Sequence, residues 1–277
     1  MTDLLISAYL GFIQGLTEFL PVSSSGHLAL SRILLEKFGV STGGLGHDLF
    51  MEVLLHVGTL LVVIGYYRRE IGQFLNEWTG LGNAPSTTVP AGVCKSWTLY
   101  IIVTTLVTAG LAIPMKDQIE AAFHSLNAVG IGLLFTAFIL FVSSWASKNR
   151  PESAAKSMNL GFAIIIGLAQ FIAVSPGVSR SGTTIAVALL LGLKREQAVT
   201  YSFLISIPAI LGAALLTAKD VDHVHLLGPM IGMVVAMIFG WLALVLLVRL
   251  VLQGKLWGFS VYCLIVGSLA LLLGWFS

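Results

Sequence analysis

The sequence predicts an all-α integral membrane protein built as an inverted-topology repeat, and three observations lead there: composition, a broken pattern of apolar segments, and a duplicated polar motif. Of 277 residues, 57% are hydrophobic and 10% charged, whereas a soluble domain carries about a quarter charged residues. Such a chain cannot cover a water-facing surface, so its solvent is lipid. A formal net charge of +2, with no Lys/Arg cluster outside short loops, argues against a nucleic-acid partner. Cys94 and Cys263 make neither a disulfide framework nor a metal-ligand spacing. No basic residue precedes the first apolar run and no small-residue cleavage site follows it, so that run is read as part of the mature fold.

Apolar segments fall near 4–20, 25–37, 49–67, 97–114, 126–146, 159–175, 182–193, 198–217, 226–250 and 257–276, five plus five. A long polar stretch lies at 68–96. A basic linker, 148–156, joins halves 1–147 and 157–277 of a single membrane domain. Segments 25–37 and 182–193 hold 13 and 12 residues, roughly 18 to 20 Å of helix, too short for a hydrocarbon core of about 30 Å. Each follows a polar Gly/Ser/Pro break, as expected of a re-entrant hairpin buried inside protein.

A shift of 156 positions aligns the two breaks: Gly11 with Gly167, Gln14 with Gln170, Val22 with Val178, Ser23 with Ser179, Ser25 with Ser181 and Gly26 with Gly182. Each half then holds one re-entrant helix pair and three transmembrane spans. Three is odd, so the halves are expected to sit upside down relative to each other. Loops on one side carry Arg68, Arg69, Lys95, Lys148, Arg150, Lys156, Lys194, Arg195, Arg249 and Lys255; the other side carries Arg32, Lys37, Lys116 and Lys219. The richer side is expected to be cytoplasmic.

The chemistry-bearing residues cluster at the breaks. The first reads GFIQGLTEFLPVSSSGHLAL, with Gln14 and Glu18 one helical turn apart, then Ser23, Ser24, Ser25, Gly26 and His27. The second reads SPGVSRSGTTIA, with Ser179, Arg180, Ser181, Gly182, Thr183 and Thr184. A charge at membrane depth costs about 2.5 to 3.5 kcal/mol on insertion scales, so Glu18 and Arg180 are expected to be functional and partnered. Two short helices pointing their N-termini at one spot favour an anion. Glycine allows close backbone approach, hydroxyls add donors, and Arg180 can grip phosphate oxygens through two parallel bonds. The ligand these features imply is a lipid phosphate. His27 is a candidate acid or base, and Glu18 a candidate base or divalent-cation ligand.

Plainer roles compete. Ser23, Ser25, Ser181 and Thr183, taken singly, are also what close helix packing in membranes uses. Of Glu52 and His56, Glu52 is read as facing the site and His56 as structural. His47, His124, His223 and His225 are read as solvated loop residues.

QGLTEFLPVSSSGH and PGVSRSGTT resemble the two signature motifs of the bacitracin-resistance type undecaprenyl-diphosphatases, and FMEVLLHVGTLLVV at 50–63 extends the likeness. Two long motifs in order, at the family's spacing, cover essentially the whole chain. The resemblance implies an integral membrane phosphatase of the bacterial plasma membrane that removes the terminal phosphate of undecaprenyl diphosphate. It also implies a requirement for Mg²⁺ or Ca²⁺, recycling of the cell-wall lipid carrier, and resistance to bacitracin. By the same resemblance Glu18 is the essential acid and metal ligand. Ser24 and His27 are the catalytic hydroxyl and imidazole, and Arg180 is the phosphate-binding arginine. Gln14, Ser23, Ser25, Gly26, Ser179, Ser181, Gly182, Thr183 and Thr184 are their substrate-binding neighbours. Gln14 departs from members that carry a second carboxylate there. The nucleophile is left open between Ser24, His27 and a metal-activated water, and the oligomeric state is left open with a homodimer as one option. The active site is expected to open to the extracytoplasmic side. The competing function is a transporter or flippase of isoprenoid lipid phosphate, since broken helices in inverted repeats also serve alternating access.

Overall fold

The computed structural model describes residues 2–37, 39, 49–80, 88–90, 92–123, 125–148, 150–151, 154–217 and 226–275. Among these residues the chain forms twelve helices and no strand: α1 (Thr2–Phe19), α2 (Ser24–Lys37), α3 (Leu49–Tyr66), α4 (Arg68–Thr79), α5 (Cys94–Ala112), α6 (Lys116–Phe123), α7 (Leu126–Ser147), α8 (Leu160–Ile172), α9 (Arg180–Leu191), α10 (Arg195–Thr217), α11 (Leu227–Leu252) and α12 (Trp257–Trp275). Helices α5, α7, α10, α11 and α12 are long and apolar enough to cross a bilayer, and α3 with α4, bent by 69° at their junction, makes a sixth candidate. The protein is a multi-pass helical membrane protein. Its outward surface agrees: Leu106, Phe138, Phe141, Leu242 and Leu264 are all large, apolar and exposed. In lipid such exposure costs nothing, because the tails are as apolar as the side chains.

The polar stretch expected at 68–96 is not all loop. Ile71, Phe74, Leu75 and Trp78 recur at helical spacing, so Arg68–Thr79 is an amphipathic helix. Gly80 ends it in the left-handed conformation, its N–H donating to the Asn76 carbonyl. The Glu77 carboxylate then accepts from the backbone N–H groups of Gly92 and Cys94 (3.0 and 3.1 Å) at the start of α5. A second short helix, α6, likewise fills an expected loop.

Two helix hairpins organise the site. In the C-terminal one, the Lys156 N–H donates to the Gly192 carbonyl at 2.9 Å, so the chain enters α8 and leaves α9 at one end. In the N-terminal one, Tyr9 on α1 donates to Ser31 Oγ on α2 at 3.1 Å. The tips touch: Ser181 Oγ donates to the Phe19 carbonyl at 2.9 Å, a Cβ on Gly182 would meet Pro21 at 2.9 Å, and one on Gly26 would meet the Gly177 backbone at 3.3 Å.

Depth follows from the helices around the tips. Ser179 N–H donates to Thr136 Oγ1 at 2.9 Å, and Thr136 lies halfway along α7. Cys263, near the middle of α12, donates to the Pro21 carbonyl at 3.4 Å. Both tips therefore sit at mid-depth of spanning helices. Glycines permit this approach: a Cβ on Gly132 would lie 2.1 Å from the Pro176 carbonyl oxygen, and Gly177 at φ 79° has Val129 O only 2.0 Å from where its Cβ would be. The same device seats α1 on α11 and α8 on α5, where Gly11 meets the backbone of Gly232 and Gly167 meets Thr104 and Val107.

Candidate active site

Each helix leaving a tip begins with a serine cap. Ser23 Oγ accepts from the Gly26 N–H (3.2 Å) and Ser179 Oγ from the Gly182 N–H (3.1 Å). The caps also face the next hydroxyl in the same way, Ser23 to Ser25 at 3.2 Å and Ser179 to Ser181 at 3.3 Å. These four residues match in pairs under the 156-residue shift. Ser23 alone among the described non-glycine residues has positive φ, 70°, a strained conformation for a residue with a Cβ.

Between the tips lies Glu18, 8% exposed. Its Oε1 accepts from Arg180 Nη2 at 2.6 Å. Its Oε2 accepts from Ser24 Oγ at 2.7 Å and from Gln14 Nε2 at 3.0 Å. The local causes are simple. Gln14 precedes Glu18 by four residues on one face of α1, while Ser24 and Arg180 open α2 and α9, so both first turns point at the carboxylate. A buried carboxylate is tolerable only with such partners. Among the described residues Arg180 Nη1, Gln14 Oε1 and Thr183 Oγ1 are buried without a protein partner. The two N–H groups of Arg180 Nη1 and the Thr183 hydroxyl can donate to an anion; the Gln14 amide oxygen can face a cation.

The remaining predicted residues divide by what holds them. Ser181 and Thr184 hold the tip, Thr184 Oγ1 lying 2.6 Å from Ser202 Oγ on α10 and also donating to the Arg180 carbonyl. Gly26 and Gly182 give close contact and cap N–H groups. His27 is not hydrogen-bonded to Glu18, Ser24 or Arg180. Its Nδ1 lies 2.8 Å from the Ser23 carbonyl oxygen and its Nε2 2.7 Å from Tyr262 Oη on α12, with the two rings stacked. The structure reverses the expectation for α3: the Glu52 carboxylate pairs with Arg32, while His56 reaches Glu18, Nε2 to Oε2 at 3.9 Å. Arg32 on α2 lies within reach of the Glu52 carboxylate, while the ring one turn further along α3 is directed at Glu18. His47, His124, His223 and His225 lie outside the described residues.

Sequence reasoning missed Thr136, Ser202 and Tyr262. Their signal was weak: single polar residues in apolar runs, each reaching the tips from a remote helix.

Fold and site define a multi-pass helical membrane protein in which two touching hairpin tips enclose a buried carboxylate–guanidinium pair. Residues 7–269 match the family described as bacitracin resistance protein BacA, and the chain belongs to that family. It is 41% identical over 276 residues to an undecaprenyl-diphosphatase of Desulfosudis oleivorans, covering 96% of each chain. A Korarchaeum cryptofilum protein of that name is 39% identical over 261 residues, 93% of this chain and 94% of its own. One from Methanosphaera stadtmanae is 38% identical over 285 residues, 99% of each.

Proposed function

We propose that this protein hydrolyses undecaprenyl diphosphate to undecaprenyl phosphate and inorganic phosphate, recycling the lipid carrier of cell-wall synthesis and conferring resistance to bacitracin. The observation that carries this reading is the Glu18–Arg180 pair with Ser24 donating to the same carboxylate, within a family whose relatives bear that enzyme's name. A lipid substrate can reach a mid-membrane site laterally, with its diphosphate between the tips. Arg180 then offers its spare Nη1–H to the phosphate oxygens, where preorganised donors stabilise charge as it develops. Ser24 Oγ attacks the terminal phosphorus and its proton passes to Glu18. The anhydride bond breaks with undecaprenyl phosphate as the leaving group, and water then hydrolyses the phosphoserine, returning the proton to Ser24. The geometry favours Ser24 over His27 as nucleophile because Ser24 touches the base, whereas both nitrogens of His27 are engaged elsewhere.

A divalent cation fits this donor set. Mg²⁺ and Ca²⁺ take oxygen ligands, and Mg²⁺ commonly binds through one or two carboxylates plus substrate phosphates. Glu18 and the unpartnered Gln14 Oε1 are the residues that would hold it. Among the described residues no three His, Cys, Asp or Glu side chains cluster, so substrate oxygens would complete the shell. Bound there, Mg²⁺ or Ca²⁺ would offset the negative charge of the phosphoryl oxygens.

In this reading the site opens to the extracytoplasmic face of a bacterial plasma membrane. Support comes from the basic residues that gather at one end: Arg150 donates to the Leu189 carbonyl and Arg195 to the Leu252 carbonyl, beside the Lys156–Gly192 contact. That end is cytoplasmic by the positive-inside rule. The inverted repeat belongs to the same proposal, supported by the matched caps and by the matched seating of Gly11 and Gly167.

The test is phosphate release by purified protein from farnesyl and undecaprenyl diphosphates, with and without Mg²⁺ or Ca²⁺. Release that needs the metal and is abolished by Glu18→Ala supports the reading. Lipid movement between leaflets of proteoliposomes without phosphate release would instead make the protein a transporter.

A further inference from the structure

His56 has one ring nitrogen committed to its own helix and the other facing the site. Its Nδ1 lies 2.8 Å from the Glu52 carbonyl oxygen. A carbonyl only accepts, so Nδ1 is the protonated nitrogen, and in that tautomer the lone pair sits on Nε2. That lone pair faces Glu18 Oε2 across 3.9 Å, beyond hydrogen-bond reach. His27 shares the first arrangement, with Nδ1 on the Ser23 carbonyl, but the Tyr262 hydroxyl fills its Nε2. Of the two, only His56 turns an uncommitted ring nitrogen toward the carboxylate.

Two acceptors facing each other repel unless a positive charge lies between them. A divalent metal ion would supply that charge, since imidazole nitrogen and carboxylate oxygen are both metal ligands. Metal-binding histidines, moreover, nearly always donate their other N–H to a carbonyl or carboxylate, which fixes the tautomer, and His56 does so. The Arg32 pairing of the Glu52 side chain leaves that carboxylate out of the set.

We propose that His56 Nε2 is a nitrogen ligand of the divalent cation, beside Glu18. This rests on the metal reading given above. Its consequence is a preference: imidazole suits Mn²⁺ and other transition ions, whereas Ca²⁺ takes oxygen shells. The site binds Mn²⁺ more tightly than Ca²⁺, and His56→Asp reverses that order.

The experiment uses the full chain in detergent with Mn²⁺ and a non-hydrolysable methylene analogue of farnesyl diphosphate, read by pulsed electron paramagnetic resonance. Wild type and His27→Gln show ¹⁴N modulation from a directly bound imidazole. His56→Gln loses it, and its Mn²⁺ affinity falls about tenfold or more. Should His56→Gln fail to fold, His27→Gln labelled with ¹⁵N-histidine shows the ¹⁵N pattern in place of ¹⁴N. Bound Mn²⁺ without nitrogen modulation in wild type, or modulation that survives His56→Gln, overturns the assignment while leaving a metal site in place. No bound Mn²⁺ at all overturns the metal reading and this assignment together.

Discussion

Glu18 Oε1 lies 2.6 Å from Arg180 Nη2, joining residues 162 positions apart at the contact of two hairpin tips. One comes from the end of α1, the other from the first turn of α9, so neither hairpin contains the site alone. The pair also explains how charge survives at this depth. Each ion is the other's main compensation, with Ser24 and Gln14 satisfying the remaining carboxylate oxygen. Function and fold therefore lean on the same atoms.

Truncating either ion leaves the other buried and unpaired, which costs about 3–5 kcal/mol. Glu18→Ala and Arg180→Ala are each expected to lower resistance to denaturation in mixed micelles by that order, and the double variant by clearly less than the sum. Phosphate release should fall on the order of 10²- to 10³-fold or more in each. Additive stability losses would mean that the ions do not depend on each other.

The serine caps make a second comparison. Ser23→Ala and Ser179→Ala each remove the acceptor for one helix N-terminal N–H and should cost about 1 kcal/mol. Ser23→Gly should be milder than Ser23→Ala, because glycine adopts the positive φ of 70° without strain. At Ser179, where φ is −76°, no such relief exists. Thermal unfolding of these three variants and of Ser179→Gly, with phosphate release as a parallel reading, checks the order.

Much of this arrangement was legible in the chain itself. The 156-residue shift already paired Ser23 with Ser179 and Gly26 with Gly182, because capping is local chemistry encoded within four residues. Glu18 and Arg180 stood out as charges in apolar surroundings. His56 and Tyr262 did not, since their roles depend on which face of α3 and α12 turns toward the tips. That is decided by packing between helices rather than by neighbours in sequence. The helix at Arg68–Thr79 was hidden for another reason: its polar content masked an apolar stripe of ordinary helical period.

Close backbone contact between α7 and the second tip gives a steric prediction. A Cβ on Gly132 would sit 2.1 Å from the Pro176 carbonyl oxygen, which backbone cannot yield without moving the tip. Gly132→Ala is expected to cost about 1–3 kcal/mol and to depress activity through displacement of Ser179 and Arg180. Gly110→Ala on exposed α5, with nothing within 4 Å, should instead be neutral or stabilise by about 0.5–1 kcal/mol. Unfolding and activity measured on both variants separate a general intolerance of glycine replacement from this specific contact.

Orientation yields the last expectation. Gln118 on α6 and Ser157 before α8 are both exposed, and the charge asymmetry predicts that they face opposite sides. Cys94 and Cys263 are fully buried, so they should contribute no background to thiol labelling. A membrane-impermeant maleimide should therefore label Gln118→Cys in intact cells and Ser157→Cys only after the membrane is opened. Because Ser157 lies beside the contact between Lys156 and Gly192, its labelling also reports where the α8–α9 hairpin enters. If Ser157→Cys were labelled in intact cells and Gln118→Cys protected, the basic end would face outward, and lipid diphosphate would have to reach Arg180 from the cytoplasmic leaflet.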